Sequence, residues 1–129
     1  QLVPRTGARD AYNYLYNRDR FLSSRYLFNP QNNIELGCAY ISKLRYVYFK
    51  NVNNDDNALY CVISSYNGGV GTVAKTLCGN TNLKSVTRII NTHDPEWTYS
   101  TLENRLPAKE TRNYLRRVTK RQRMYASWL

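Results

Sequence analysis

Ser64-Ser65-Tyr66-Asn67-Gly68-Gly69-Val70-Gly71 decides how this chain folds. An apolar stretch ends at a Tyr-Asn pair, and Gly68, Gly69 and Gly71 follow at once. Glycine permits φ > 0 at a sharp turn and lets backbone approach a ligand closely. Two readings stand: a turn between two helices, or a polar ligand's site lined by a ring and a carboxamide. Both flanks are helical. Upstream, Leu59, Val62, Ile63 and Tyr66 recur at helical spacing and mark the buried face of a helix starting near Asp56. Downstream, Val73, Ala74, Leu77 and Cys78 mark a short helix that Gly79 closes.

The same punctuation extends outward. Pro4 suits the first turn of a helix running to about Tyr16. Residues 17–28 are mixed polar and aromatic and read as a loop. Asn29-Pro30 is a cap followed by proline at the first helical position. The helix it opens carries Ile34, Cys38, Ile41, Leu44 and Tyr48 at helical spacing, the pattern of a buried face. Asn51 to Asn57 is a connection. Val86, Ile89 and Ile90 belong to another short helix, and Pro95 opens one more through Trp97 and Leu102. Pro107 starts the last and longest, predicted to bury Tyr114, Leu115, Val118 and Tyr125. No strand alternation lasts long enough for a sheet. The reading is an all-α single domain spanning residues 1–129.

Composition narrows the classes. With 129 residues and 42% hydrophobic content the chain can bury one core, helped by 12 tyrosines. No apolar run reaches the roughly 18 residues that a membrane span needs. The chain opens on Gln1 without an initiator Met, which reads as a processed or truncated product. The net charge is +10. In the last helix Lys109, Arg112, Arg116, Arg117, Lys120, Arg121 and Arg123 oppose only Glu110. Such a stripe is either a solvated face or an attractor of polyanions. Cys38, Cys61 and Cys78 match no zinc or disulfide pattern and read as buried free thiols, with one bridge and a leftover thiol as the alternative. His93 is the only histidine, in a Thr-His-Asp-Pro turn, which argues against a catalytic histidine. No metal or cofactor is expected.

Four stretches in this order resemble the catalytic domain of soluble-type lytic transglycosylases, which have a lysozyme-like fold, with the membrane-bound type C branch most similar. Leu27-Phe28-Asn29-Pro30-Gln31-Asn32-Asn33-Ile34-Glu35-Leu36-Gly37 is similar to the family's helix-opening segment. Ser65-Tyr66-Asn67-Gly68-Gly69 resembles its alanine-tyrosine-asparagine-glycine motif, with Ser65 for the usual alanine. Leu106-Pro107-Ala108-Lys109-Glu110-Thr111-Arg112-Asn113-Tyr114 resembles the motif closing the sugar groove. Gln1-Leu2-Val3-Pro4-Arg5-Thr6-Gly7 resembles the tail of a glycine-leucine-methionine-glutamine motif.

The resemblance implies cleavage of the β-1,4 bond between N-acetylmuramic acid and N-acetylglucosamine, closing a 1,6-anhydro ring without consuming water. It implies bacterial peptidoglycan as partner, no specific nucleic acid, a periplasmic or cell-envelope location, a parent with a possible outer-membrane anchor, and a monomer. It also implies that the family's catalytic glutamate precedes residue 1. The expectation is therefore a partial lysozyme-like domain, lacking its first helix and inactive alone. Tyr66 would orient the glutamate, while Gln1, Asn67, Gly68, Gly69, Glu110 and Tyr114 would bind the glycan. Bland alternatives remain at each: core packing for Tyr66 and Tyr114, a frayed terminus for Gln1, a helix-dipole role for Glu110. Among the other carboxylates Asp55 and Asp56 suit a helix start, as does Glu35, and Asp10, Asp19, Asp94, Glu96 and Glu103 lie in polar surroundings. A goose-type-lysozyme-like hydrolase, a non-catalytic glycan-binding module and a basic helical nucleic-acid binder are the rivals.

Overall fold

The computed structural model describes residues 7–127, and all regular structure among them is helical. Side-chain caps explain where most helices begin. Asn29 Oδ1 accepts from the backbone N–H groups of Gln31 (3.0 Å) and Asn32 (3.2 Å), which starts α3 (Pro30–Lys43). Asn54 Oδ1 does the same for Asp56 (2.9 Å) and Asn57 (3.0 Å) at the start of α4 (Asp55–Gly68). Asn82 caps α6 (Leu83–Asn91) through the Ser85 N–H, and Asp94 caps α7 (Pro95–Arg105) through that of Trp97. Each cap satisfies N–H donors that the first turn leaves without a partner. The ends use left-handed backbone: Asn17 (φ 54°) after α1 (Arg9–Tyr16), and Gly79 (φ 84°) after α5 (Val70–Cys78). Pro107 precedes α8 (Lys109–Ala126).

Helix α4 is the centre of the molecule. It packs against α3, α5, α7 and α8, and its residues Asn57, Ala58 and Cys61 through Ser65 are buried. The core around it includes Leu36, Leu44, Phe49, Val73, Ile90, Leu102 and Leu115, each fully enclosed. Cys61 lies there too, and burial pushes its thiol up to about 12.

Four expectations need correction. Residues 17–28 are not all loop: Ser24–Phe28 forms a short helix, α2, because Ser23 Oγ caps the Tyr26 N–H and Leu27 is buried. The α3 face read as buried is partly the outer one. Ile34 (67% exposed), Cys38 and Ile41 face solvent, while Leu36, Gly37, Ala39 and Tyr40 face the core. Two apolar faces compete on this helix, and the small Gly37 and Ala39 let neighbouring elements close on one of them. Cys38 is thus an exposed free thiol and Cys78 a half-buried one. Tyr125 is exposed as well, and buried Thr111 and Thr119 share with Leu115 the inward face of α8.

Helical periodicity also fails just after α3. Leu44–Tyr48 continues it as a π-helical turn, with Phe49 N–H donating to the Leu44 carbonyl at 2.9 Å. The wider turn shifts the register, so Leu44 and Phe49 are both fully buried.

Candidate functional site

The junction of α4 and α5 builds the site. Gly69 sits at φ 92°, which L side chains rarely adopt, and a Cβ there would meet nothing within 4 Å. Conformation, not crowding, therefore requires this glycine, and its face stays open to a ligand. Its N–H donates to the Ser65 carbonyl at 2.8 Å and ends α4. Gly68 is needed for a different reason. A Cβ there would stand 2.9 Å from Thr111 Cγ2, so its absence lets α8 close on α4.

Thr111 also orients Asn67. Its Oγ1 donates to Asn67 Oδ1 at 2.8 Å, which leaves the Asn67 amide N–H groups free to donate elsewhere. Tyr66 is held on three sides. Its ring centroid lies 5.8 Å from that of Tyr40 and 6.5 Å from that of Tyr114, nearly parallel to the latter at 14°. Its hydroxyl would lie 3.0 Å from a Cβ at Gly37, so this α3 glycine makes its seat. Burial raises the Tyr66 hydroxyl above the usual phenol range, and Tyr114 and Cys38 add to the rise. It is a neutral donor near pH 7.

These groups line one groove. A small cavity of about 100 Å³ is walled by Tyr40, Ser65, Tyr66, Asn67 and the Gly68-Gly69 backbone. Tyr40, Gly68 and Gly69 also line a larger cleft of about 470 Å³, whose far wall carries Asp10 and Tyr48. Asp10 accepts from Tyr48 Oη at 2.7 Å and from Lys43 Nζ. The polar surroundings read for Asp10 are thus a specific pair of donors, and Asp10 is the carboxylate on the groove wall. Burial pushes the Tyr40 phenol up to about 12, with Asp10 contributing.

Tyr66, Asn67, Gly68 and Gly69 therefore come together, and Tyr114 reaches them by stacking on Tyr66. Glu110 does not: it is exposed in the first turn of α8 and lines neither cavity. Gln1 lies outside the described residues. Sequence reasoning missed Thr111, Tyr40, Gly37, Asp10 and Tyr48. Thr111 stood inside a motif and Gly37 ended one, but nothing local shows that they meet α4. Glu35 accepts from Tyr16 Oη, which holds that phenol at about 12. His93 stacks on Trp97 with ring centroids 3.6 Å apart, away from the groove residues. No group of His, Cys, Asp or Glu among the described residues has the makings of a metal site.

An all-helical domain with a Tyr-Asn-Gly-Gly groove is what one known family presents. The model of the Transglycosylase SLT domain matches residues 1–88, and the chain belongs to that family, whose fold is lysozyme-like. Among its relatives is the membrane-bound lytic murein transglycosylase C of Cronobacter sakazakii, 41% identical over 103 residues, 80% of this chain and 28% of that protein. The proteins of the same name from Photorhabdus laumondii and Yersinia pestis are 36% and 38% identical over 125 residues, 97% of this chain and 34% of theirs. The chain thus spans about a third of the length of the curated relatives it matches.

Proposed function

We propose that the groove binds a peptidoglycan glycan strand and belongs to a lytic transglycosylase of the bacterial cell envelope. The observation that carries this is the convergence of Tyr66, Asn67 and the Gly68-Gly69 backbone on one groove. A sugar there meets the Gly69 backbone on the side where a Cβ would meet nothing within 4 Å, and amide donors on Asn67, whose Oδ1 accepts from Thr111. Aromatic walls from Tyr40 and Tyr66 suit the apolar faces of pyranose rings. The names of the relatives, lytic murein transglycosylases described as membrane-bound, point the same way. Among the described residues no helix is long and apolar enough to cross a membrane.

In the reaction so assigned, a carboxylic acid protonates the oxygen between N-acetylmuramic acid and N-acetylglucosamine as the glycosidic bond breaks. The muramic acid's 6-hydroxyl then attacks the anomeric carbon and returns its proton to the carboxylate, so no water is consumed. The acid needs a poorly solvated seat to stay protonated near neutrality. Tyr66 suits such a seat as a neutral donor with a water-excluding ring. Among the described residues the groups that act on the Tyr66 hydroxyl are Tyr114 and Cys38, neither of them a carboxylate. Asp10 on the groove wall is engaged by Lys43 and Tyr48.

That observation favours a second reading for the 129 residues taken alone: a glycan-binding module without turnover. One experiment covers both. Titration with soluble peptidoglycan oligosaccharides is expected to show binding, weakened roughly tenfold in Asn67→Ala by loss of the amide donors. Absence of binding overturns the proposal. Product analysis of the same samples is expected to show no 1,6-anhydro ends. If anhydro ends appear, Asp10 becomes the first residue to mutate; reducing ends would mean a muramidase.

A further inference from the structure

A second recess adjoins the groove beyond Asp10. Tyr48 lines the groove and also lines this separate cleft of about 410 Å³ between the end of the π-helical turn and α6. Three cations border that cleft: Lys50 from the loop after the turn, and Lys84 and Arg88 one helical turn apart on α6. Among the described residues no carboxylate lines it, and none of the three forms an ion pair with a described residue. Val47 and Leu83 supply apolar surface between them. The two walls are fastened together. Asn91, at the end of α6, donates from Nδ2 to the Asn51 carbonyl at 2.9 Å and accepts from the Asn53 N–H at 2.9 Å. Like charges gathered at one recess, with no counter-charge among the described residues lining it, repel one another, and an anion in the cleft relieves that repulsion.

We propose that this cleft holds the carboxylates of the peptides that branch from the glycan strand. The inference rests on the glycan reading of the groove and deepens it. Three features favour this occupant over nucleic acid or an anionic lipid surface. The cleft adjoins the groove, with Tyr48 lining both, so it lies beside a strand running along Gly68 and Gly69. It is a recess, whereas the exposed cations of α8 form an open face that would suit a polyanion rod equally well. Its mix of cations with Val47 and Leu83 matches a short peptide of small apolar side chains ending in carboxylates.

The test is calorimetric titration of the 129-residue chain with two soluble glycan fragments: one bearing its peptides, and the same fragment after an amidase has removed them. Peptide-bearing fragment is expected to bind roughly fivefold more tightly, the size of a few partly exposed ion pairs. That preference is expected to shrink as salt rises to about 0.3 M. The exposed pair Lys84→Gln/Arg88→Gln is expected to abolish the preference while leaving affinity for the peptide-free fragment unchanged. Equal affinity of the wild-type chain for both fragments overturns the inference and spares the glycan reading. A preference that survives in the double variant overturns it as well. Failure of both fragments to bind overturns the two together. A double variant that loses binding to duplex DNA or to anionic vesicles, yet keeps its preference between fragments, assigns the cleft to that other ligand.

Discussion

Thr111 shows how much a site can owe to one hydroxyl. It is 3% exposed, its methyl group abuts Gly68, and its Oγ1 donates to Asn67. Both contacts cross from α8 to the end of α4, so one side chain sets helix spacing and amide orientation together. Thr111→Val keeps the shape and removes the hydrogen bond. The expected cost is about 1 kcal/mol of stability, read by urea denaturation. Affinity for peptidoglycan oligosaccharides should fall at the same time, because the freed Asn67 amide can rotate. A variant that loses stability but not affinity would reduce Thr111 to a packing residue. Gly68→Ala should be harsher, since its Cβ would stand 2.9 Å from Thr111 Cγ2 and force α8 outward.

Among the elements, α4 carries both the core and the site. Its start depends on one side chain, Asn54, whose Oδ1 takes two of the first-turn N–H groups. The backbone carbonyl of Asn54 also accepts from the Ala58 N–H at 3.0 Å, and Asn57 Nδ2 ties the first turn to the His93 carbonyl at 3.1 Å. Asn54→Ala is expected to cost about 1 kcal/mol, whereas Asn54→Asp should be nearly neutral because aspartate caps as well. Thermal melts of the two variants beside the parent check this. Equal melts for all three would show that buried neighbours hold the helix start without the cap. The basic helix α8 is less uniform than its sequence. Arg112 donates to the Leu106 carbonyl at 2.5 Å and Arg116 pairs with Glu103 at 3.2 Å, so these two brace the α7–α8 corner while Lys109, Arg117, Lys120, Arg121 and Arg123 stay exposed.

For the molecule as a whole, tyrosine makes stability depend on alkaline pH. Burial raises the phenols of Tyr40, Tyr48, Tyr66, Tyr99 and Tyr114, that of Tyr40 to about 12. In the unfolded chain they titrate near 10, at about the ordinary phenol value. Above that pH the unfolded state releases protons that the folded state retains. Unfolding therefore becomes more favourable as pH rises: this contribution is complete below about pH 10 and is lost toward the folded values. Melting temperature should fall steeply between roughly pH 10 and 12, and less steeply in Tyr40→Phe, which has one phenol fewer to titrate. An identical pH slope in Tyr40→Phe would rule Tyr40 out as a contributor. The exposed Phe28, Ile34 and Ile41 are a second whole-molecule feature. Apolar surface of this kind favours association, and Ile34→Lys should lower light scattering at high concentration without shifting the melt.

The amino-acid sequence by itself determined the longer helices, the Asn29 cap and the glycine turn, whereas α2, which reads as loop, depended on burying Leu27. Asn29, Asn54, Asp94, Gly69 and Gly79 act on backbone within one or two turns of themselves, so their effect is written locally. It also determined the Tyr66-Asn67-Gly68-Gly69 part of the groove, because those residues are consecutive. Tertiary structure decided the rest. Which of two apolar faces α3 would bury depended on what closed against Gly37 and Ala39. The π-helical turn depended on burying Leu44 and Phe49 together. Thr111 reached Asn67, and Asp10 reached Tyr48, across 44 and 38 positions of chain. Such pairs leave no periodic trace in a sequence, because the contact is made by helix packing and not by spacing along the backbone.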